Sequence, residues 1–252
     1  MWKWLLLVFT AFCAASCGNP VLRTHAPTNV SAPAPPRAMP LYRIDPSSSE
    51  VRVLVYRAGV MAALGHNHVI VNRSIDGWVA LADAIPAGSF FLRLPVAGFT
   101  VDDDVARAEE GADFAAPVAD DAKLGTRRNM LSAAVLDGAH FPYVEFRSLA
   151  IEAHGAPAGA AAAGAAAAGA AAAGAAAGPD EWTAIAAVVV AGHETRVVMP
   201  FKLDRRNGRL TASGSANLRQ SDLGLTPFSI GLGALQVRDE LRVRFCVVAV
   251  VP

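Results

Sequence analysis

From Tyr42 to the end of the chain, apolar and polar residues alternate with a period of two, the pattern of strands that bury one face. In residues 50–57, Val51, Val53 and Val55 share one face, and Glu50, Arg52, Leu54 and Tyr56 share the other. Residues 89–96 set Phe90, Leu92 and Leu94 against Phe91 and Arg93. Residues 143–148 set Val144 and Phe146 against Glu145 and Arg147. Residues 210–219 alternate Leu210, Ala212, Gly214, Ala216 and Leu218 with polar partners. Residues 241–247 put Leu241, Val243, Phe245 and Val247 opposite Arg242, Arg244 and Cys246. Residues 182–190 and 196–203 read as further strands, and Asn207-Gly208 marks a hairpin turn because this pair readily takes positive φ. About eight strands with one apolar face each predict an all-β sandwich or closed barrel. An eight-stranded barrel encloses side chains or one small ligand, so its inward apolar face is the candidate binding surface.

Two stretches read as short helices between strands. Residues 102–114 begin with acidic side chains, and residues 121–131 carry Lys and Arg later in the segment. Both are expected to cap the barrel mouth.

The first seventeen residues, MWKWLLLVFTAFCAASC, have the layout of an export signal. Lys3 is the positive start, Leu5 to Phe12 the apolar core, and Ala14-Ala15-Ser16 the small residues before a cut. The apolar run is too short to span a bilayer. A cut after residue 16 leaves Cys17 first, which resembles the lipobox of bacterial lipoproteins and makes Cys17 the candidate lipid anchor. Ordinary cleavage with release is the competing reading. Residues 17–40, rich in Pro, Ala, Ser and Thr, read as a flexible tether, with the barrel domain at 41–252. Residues 155–178 are almost pure Ala and Gly. Interior Gly costs a helix about 1 kcal/mol each, so the tract reads as a tolerated loop insertion.

Lys plus Arg and Asp plus Glu are 22 each, so the formal net charge is zero and nothing marks a nucleic-acid binder. The three cysteines are Cys13 in the leader, Cys17 and Cys246, which leaves one in the folded part and excludes a disulfide scaffold.

Candidate chemistry is sparse. His66 and His68 are spaced i, i+2, so on a strand they face the same way and could clasp a metal. A third ligand would come from His140, His193, Asp102 or Asp103. Without one, the imidazoles are hydrogen-bonding groups at a barrel rim. His140 and His193 read as loop and hairpin residues, and the acidic runs at 102–104 and 120–121 as solvated. No nucleophile elbow, phosphate loop or dinucleotide fingerprint occurs, so the chain reads as a binding protein rather than an enzyme.

Several segments in order resemble the YceI-like family over residues 42–250. Tyr42-Arg43-Ile44-Asp45-Pro46, Ser49 and Val51-x-Val53-x-Val55 are similar to its first hairpin. Arg128-Asn129-x-Leu131, Leu136-Asp137 and Phe141-Pro142-x-Val144-x-Phe146-x-Ser148 resemble its central signature. Leu218-Arg219-x-x-Asp222-x-Gly224 and Val237-x-Asp239-x-Leu241-x-Val243 resemble its closing segment. The resemblance implies a lipocalin-like antiparallel barrel, exported to the periplasm or cell envelope, with an isoprenoid lipid or quinone in its lumen. On that reading the ligand lies against Val51, Val53, Val55, Phe90, Leu92, Leu94, Val144, Phe146, Leu241, Val243 and Phe245. The partners implied are the lipid and, through Cys17, a membrane. One departure stands out: Gly65-His66-Asn67-His68 replaces the family's usual Gly-x-Phe. The alternatives are a metal-binding or metal-dependent redox protein using His66 and His68, and a ligand-free envelope interaction module with a filled barrel.

Overall fold

The computed structural model describes residues 32–154 and 180–252. The leader, Cys17 and the Ala/Gly tract lie outside the described residues. Among the described residues the strands are β1 (Leu41–Ile44), β2 (Glu50–Ala58), β3 (His68–Asn72), β4 (Asp76–Ala80), β5 (Ser89–Pro95) and β6 (Phe99–Val101). They continue with β7 (Tyr143–Ala153), β8 (Glu181–Val190), β9 (His193–Arg206), β10 (Arg209–Arg219), β11 (Ser229–Ile230) and β12 (Leu235–Val250). Two α-helices, α1 (Asp104–Ala108) and α2 (Asp120–Leu131), lie between β6 and β7.

The strands form one antiparallel sheet in the order β1-β4-β5-β7-β8-β9-β10-β12, and β12 pairs back with β1 to close it. The result is an eight-stranded closed barrel, one of the two architectures the alternation left open and the lipocalin-like one that the resemblance implied. The three leading strands are each built in two pieces. β1 and β2 both lie on β12, at Arg43↔Val250 and Val51↔Phe245, and β3 and β4 follow them in register on the other side. β5 pairs with β4 while β6 pairs with β3. The breaks have chemical causes. Pro46 lacks a backbone donor, and Asp45 caps the turn by accepting from the Ser47 N–H at 3.1 Å. Asn72, fully buried where two breaks meet, donates to the Pro95 carbonyl and accepts from the Ser74 N–H, both at 2.9 Å. Those bonds satisfy backbone groups that the interrupted ladder leaves open. The Asn207-Gly208 turn joins β9 to β10, with φ of 52° and 71°.

The inner faces of the strands form the main core, but two apolar clusters lie on the outside of the wall. Leu54, Val69 and Val71 point outward under α1 and Phe114. Trp78, Ala80 and Phe91 point outward under Met39 and Leu41.

These clusters correct three expectations. Residues 102–114 are not one helix: Asp102 has φ of 56°, α1 covers five residues, and a 3-10 turn follows at 112–114. This segment sits on the outer wall and not at the mouth, because Leu54 and Tyr56 present an apolar face that needs cover. Glu110, nearly buried, ties it down by pairing with Arg52 at 3.1 Å and Arg244 at 2.7 Å. Finally, the described end of the tether packs on the barrel, with Trp78 Nε1 donating to the Pro33 carbonyl. Of the two described α-helices, α2 is the one at the mouth.

Candidate functional site

The barrel encloses two chambers. The larger, of about 450 Å³, opens at the end where α2, the β2–β3 connection and the segment before β12 meet. The smaller, of about 110 Å³, lies toward the other end and is lined by apolar residues alone. Leu94, Phe146, Met199 and Val243 border both and form the waist between them.

The residues that the alternation turned inward all face these chambers. Val51, Val53, Val55, Val144 and Leu241 line the larger one, Phe90, Leu92 and Phe245 the smaller, and Leu94, Phe146 and Val243 the waist. Met130 and Thr126 of α2, with Ile70 of β3 and Val188 and Val190 of β8, also line the larger chamber, as does Asn129 of the segment that resembles the family's central signature. Ile70 shares a face with His68 by the period of two, a signal that the short strand obscured. Val188 and Val190 sit in an apolar run buried on both sides, where alternation disappears.

Among the described residues, polar side chains enter the lumen only in the larger chamber. Among them are Arg57, His66, His68, Asn129, Gln220 and Gln236. His66 and His68 face the same chamber, their ring centroids 6.3 Å apart. His68 opens β3, and its Nδ1 lies 2.6 Å from Asp102 Oδ2. Asp102 is 0% exposed. Its Oδ1 accepts from the Val69 N–H at 2.9 Å and from Arg107 Nη1 at 2.5 Å. Arg107, itself buried, also donates to the carbonyls of Asn67 and Ala116, both at 2.8 Å. Burial pushes the Asp102 carboxyl up, but the bonds from His68, Val69 and Arg107 outweigh it and hold the group below the usual carboxylate range.

Of the third ligands named from the sequence, Asp102 alone is seen against one of the two histidines, His68, and Arg107 already supplies the positive charge opposite it. His140 pairs with Asp137 at 2.9 Å, the His193 ring packs on Gly224, and Asp103 caps α1 by accepting from the Ala106 N–H. Among the described residues no three His, Cys, Asp or Glu side chains come together as a metal site. The acidic run at 102–104 is not a solvated cluster, since its first member is buried in an ion pair. Cys246 is a free thiol on the outer face. Among the described residues no helix is long and apolar enough to cross a membrane.

Fold and lumen together define a lipocalin-like antiparallel barrel, closed on itself around an apolar interior. BcnA of Burkholderia cenocepacia shares the fold with a TM-score of 0.52, at 14% identity, over 81% of this chain and 98% of that one. A YceI protein of Campylobacter jejuni aligns with a TM-score of 0.45 at 9% identity, over 70% of this chain and 81% of that one. By sequence, no family model and no curated protein matches the chain.

Proposed function

We propose that this protein is a binding barrel that holds an isoprenoid or similar long-chain apolar lipid in its lumen. The observation that carries the reading is the two-chambered interior, which is open rather than filled by its own side chains. The larger chamber alone falls within the roughly 300–1,000 Å³ of small-molecule sites. A space lined by Val, Leu, Ile, Phe and Met offers water few partners, whereas an apolar chain gains about 0.8 kcal/mol for each CH₂ it buries. About ten such groups contribute roughly 8 kcal/mol without any polar contact. That weighs against a filled barrel acting only through its outer surface. Export and anchoring through Cys17 belong to the same reading and rest on the leader sequence.

The test is organic extraction of folded, purified protein after exposure to membrane lipids, followed by mass spectrometry. A long-chain isoprenoid recovered in near-stoichiometric amount is the expected result. Extracts that match those of a similarly sized barrel with a filled interior count against the proposal.

A further inference from the structure

The polar groups of the lumen are not spread evenly, and one of them is prepared for a single kind of partner. Asp102 accepts hydrogen bonds from the Val69 N–H and from Arg107, so it is a carboxylate, and the hydrogen between it and His68 resides on Nδ1. With Nδ1 engaged by Asp102, the tautomer of an uncharged ring places its lone pair on Nε2. No described group bonds to that atom, and the ring lines the larger chamber. The buried charges of Asp102 and Arg107 offset each other. Arg57 is exposed at the rim and donates to the Gly65 carbonyl at 2.6 Å. What the interior offers a ligand head at this point is therefore a fixed acceptor.

Building on the lipid reading of the lumen, we propose that His68, positioned by Asp102, recognises the hydroxyl of a head group on the bound chain, as in a long-chain alcohol or a quinol. The head sits in the larger chamber beside His66 and His68, and the chain runs past the waist at Leu94 and Phe146 into the wholly apolar smaller chamber. A methyl ether in place of the hydroxyl leaves the Nε2 lone pair buried without a donor. That is a loss of about tenfold in affinity, the usual weight of one such hydrogen bond. A carbonyl or an ether has only acceptors to offer, and neither fits the tautomer that Asp102 imposes.

The experiment compares farnesol, farnesyl methyl ether and farnesyl phosphate by native mass spectrometry on the wild type and on His68→Asn. Asparagine keeps a donor where Nδ1 stands, so the Asp102 contact survives while the Nε2 acceptor is lost. The wild type is expected to prefer the alcohol over the ether by about tenfold, and the variant is expected to bring the two within about twofold of each other. Equal binding in the wild type, or an undiminished preference in His68→Asn, overturns the proposal while leaving the lumen reading intact. So does a phosphate ester that outcompetes the alcohol, which would mean an anionic head. Binding of none of the three overturns the lumen reading and this inference with it. If the variant does not fold, ¹⁵N-imidazole NMR of the wild type decides: the His68 Nε2 resonance shifts with farnesol and stays in place with the ether.

Discussion

Trp78 and Pro33, 45 residues apart, are joined by a hydrogen bond of 3.0 Å from the indole Nε1 to the proline carbonyl, on the outside of the barrel. The bond fastens the approach to β1 over a cluster of Trp78, Ala80 and Phe91 that faces away from the lumen. The segment before the barrel is thus part of the fold from Pro33 onward. Trp78→Phe keeps most of the apolar cover and removes the donor. It is expected to cost about 1 kcal/mol in urea unfolding. Trp78→Ala also opens a cavity and is expected to cost roughly 3–5 kcal/mol. Equal effects for the two variants would mean that the hydrogen bond carries the whole contribution.

Phe114 is 2% exposed although it covers the outer wall, and it meets Tyr56 edge-on with centroids 5.4 Å apart. Phe114→Ala should destabilise the protein by roughly 3–5 kcal/mol. Hydrogen exchange should rise first at residues 104–114, because that segment rests on the wall through this ring and the Glu110 ion pairs. Exchange that rises uniformly around the barrel would show that the segment is not a separable cover.

Ala216 of β10 lines the larger chamber, where a small side chain leaves room. Ala216→Phe pushes a ring into that space. Lipid loading should fall at least about tenfold while the barrel stays folded, because added volume in an open cavity costs little of the strain that overpacking a filled core imposes. Mass spectrometry of extracts, paired with a thermal melt, reads both. Full loading with the ring in place would mean that the chain does not occupy this chamber.

The extent to which the sequence disclosed this architecture follows from how burial is decided. Val51, Val53 and Val55 alternate with Glu50, Arg52, Leu54 and Tyr56, and the uniform valine face toward the lumen could be read directly. Leu54 and Tyr56 sit in the same strand on the face assigned to solvent, yet a segment sixty residues later covers them. Alternation records which residues share a face and not what lies against it. β3 and β4 escaped notice because each has five residues and the two are separated by Arg73, Ser74 and Ile75, too short a stretch for a period of two to stand out. The same limit hid the polar site. Asp102 follows a three-residue strand and reads as the start of an acidic run, while its burial depends on Arg107 and on the Val69 N–H, 33 residues earlier in the chain. The spacing did place His66 and His68 in one chamber, since that depends only on local backbone geometry.

Asp102 also sets an acid limit on stability. Its carboxyl lies below the usual range in the folded chain because the hydrogen bonds of His68, Val69 and Arg107 outweigh the upward push of burial. A group whose folded pKa is depressed stabilises the fold above its unfolded pKa, about 3.9 for Asp, and that contribution is lost as pH falls through the lower folded value. Between pH 5 and pH 7 the Asp102 contribution is therefore constant, and below about pH 4 it declines. Asp45 and Asp239 are lowered as well, so the wild type loses stability in acid through several groups. Asp102→Asn cannot titrate at this position. It is expected to be less stable than wild type at pH 7, since Arg107 loses its buried partner. Its stability should also fall more gently below pH 4, by up to about 1.4 kcal/mol per pH unit, the slope of one proton. Urea titrations at pH 7, 5, 4 and 3 give both quantities. Parallel curves for the two proteins below pH 4 would mean that protonation of Asp102 contributes nothing to the loss of stability in acid.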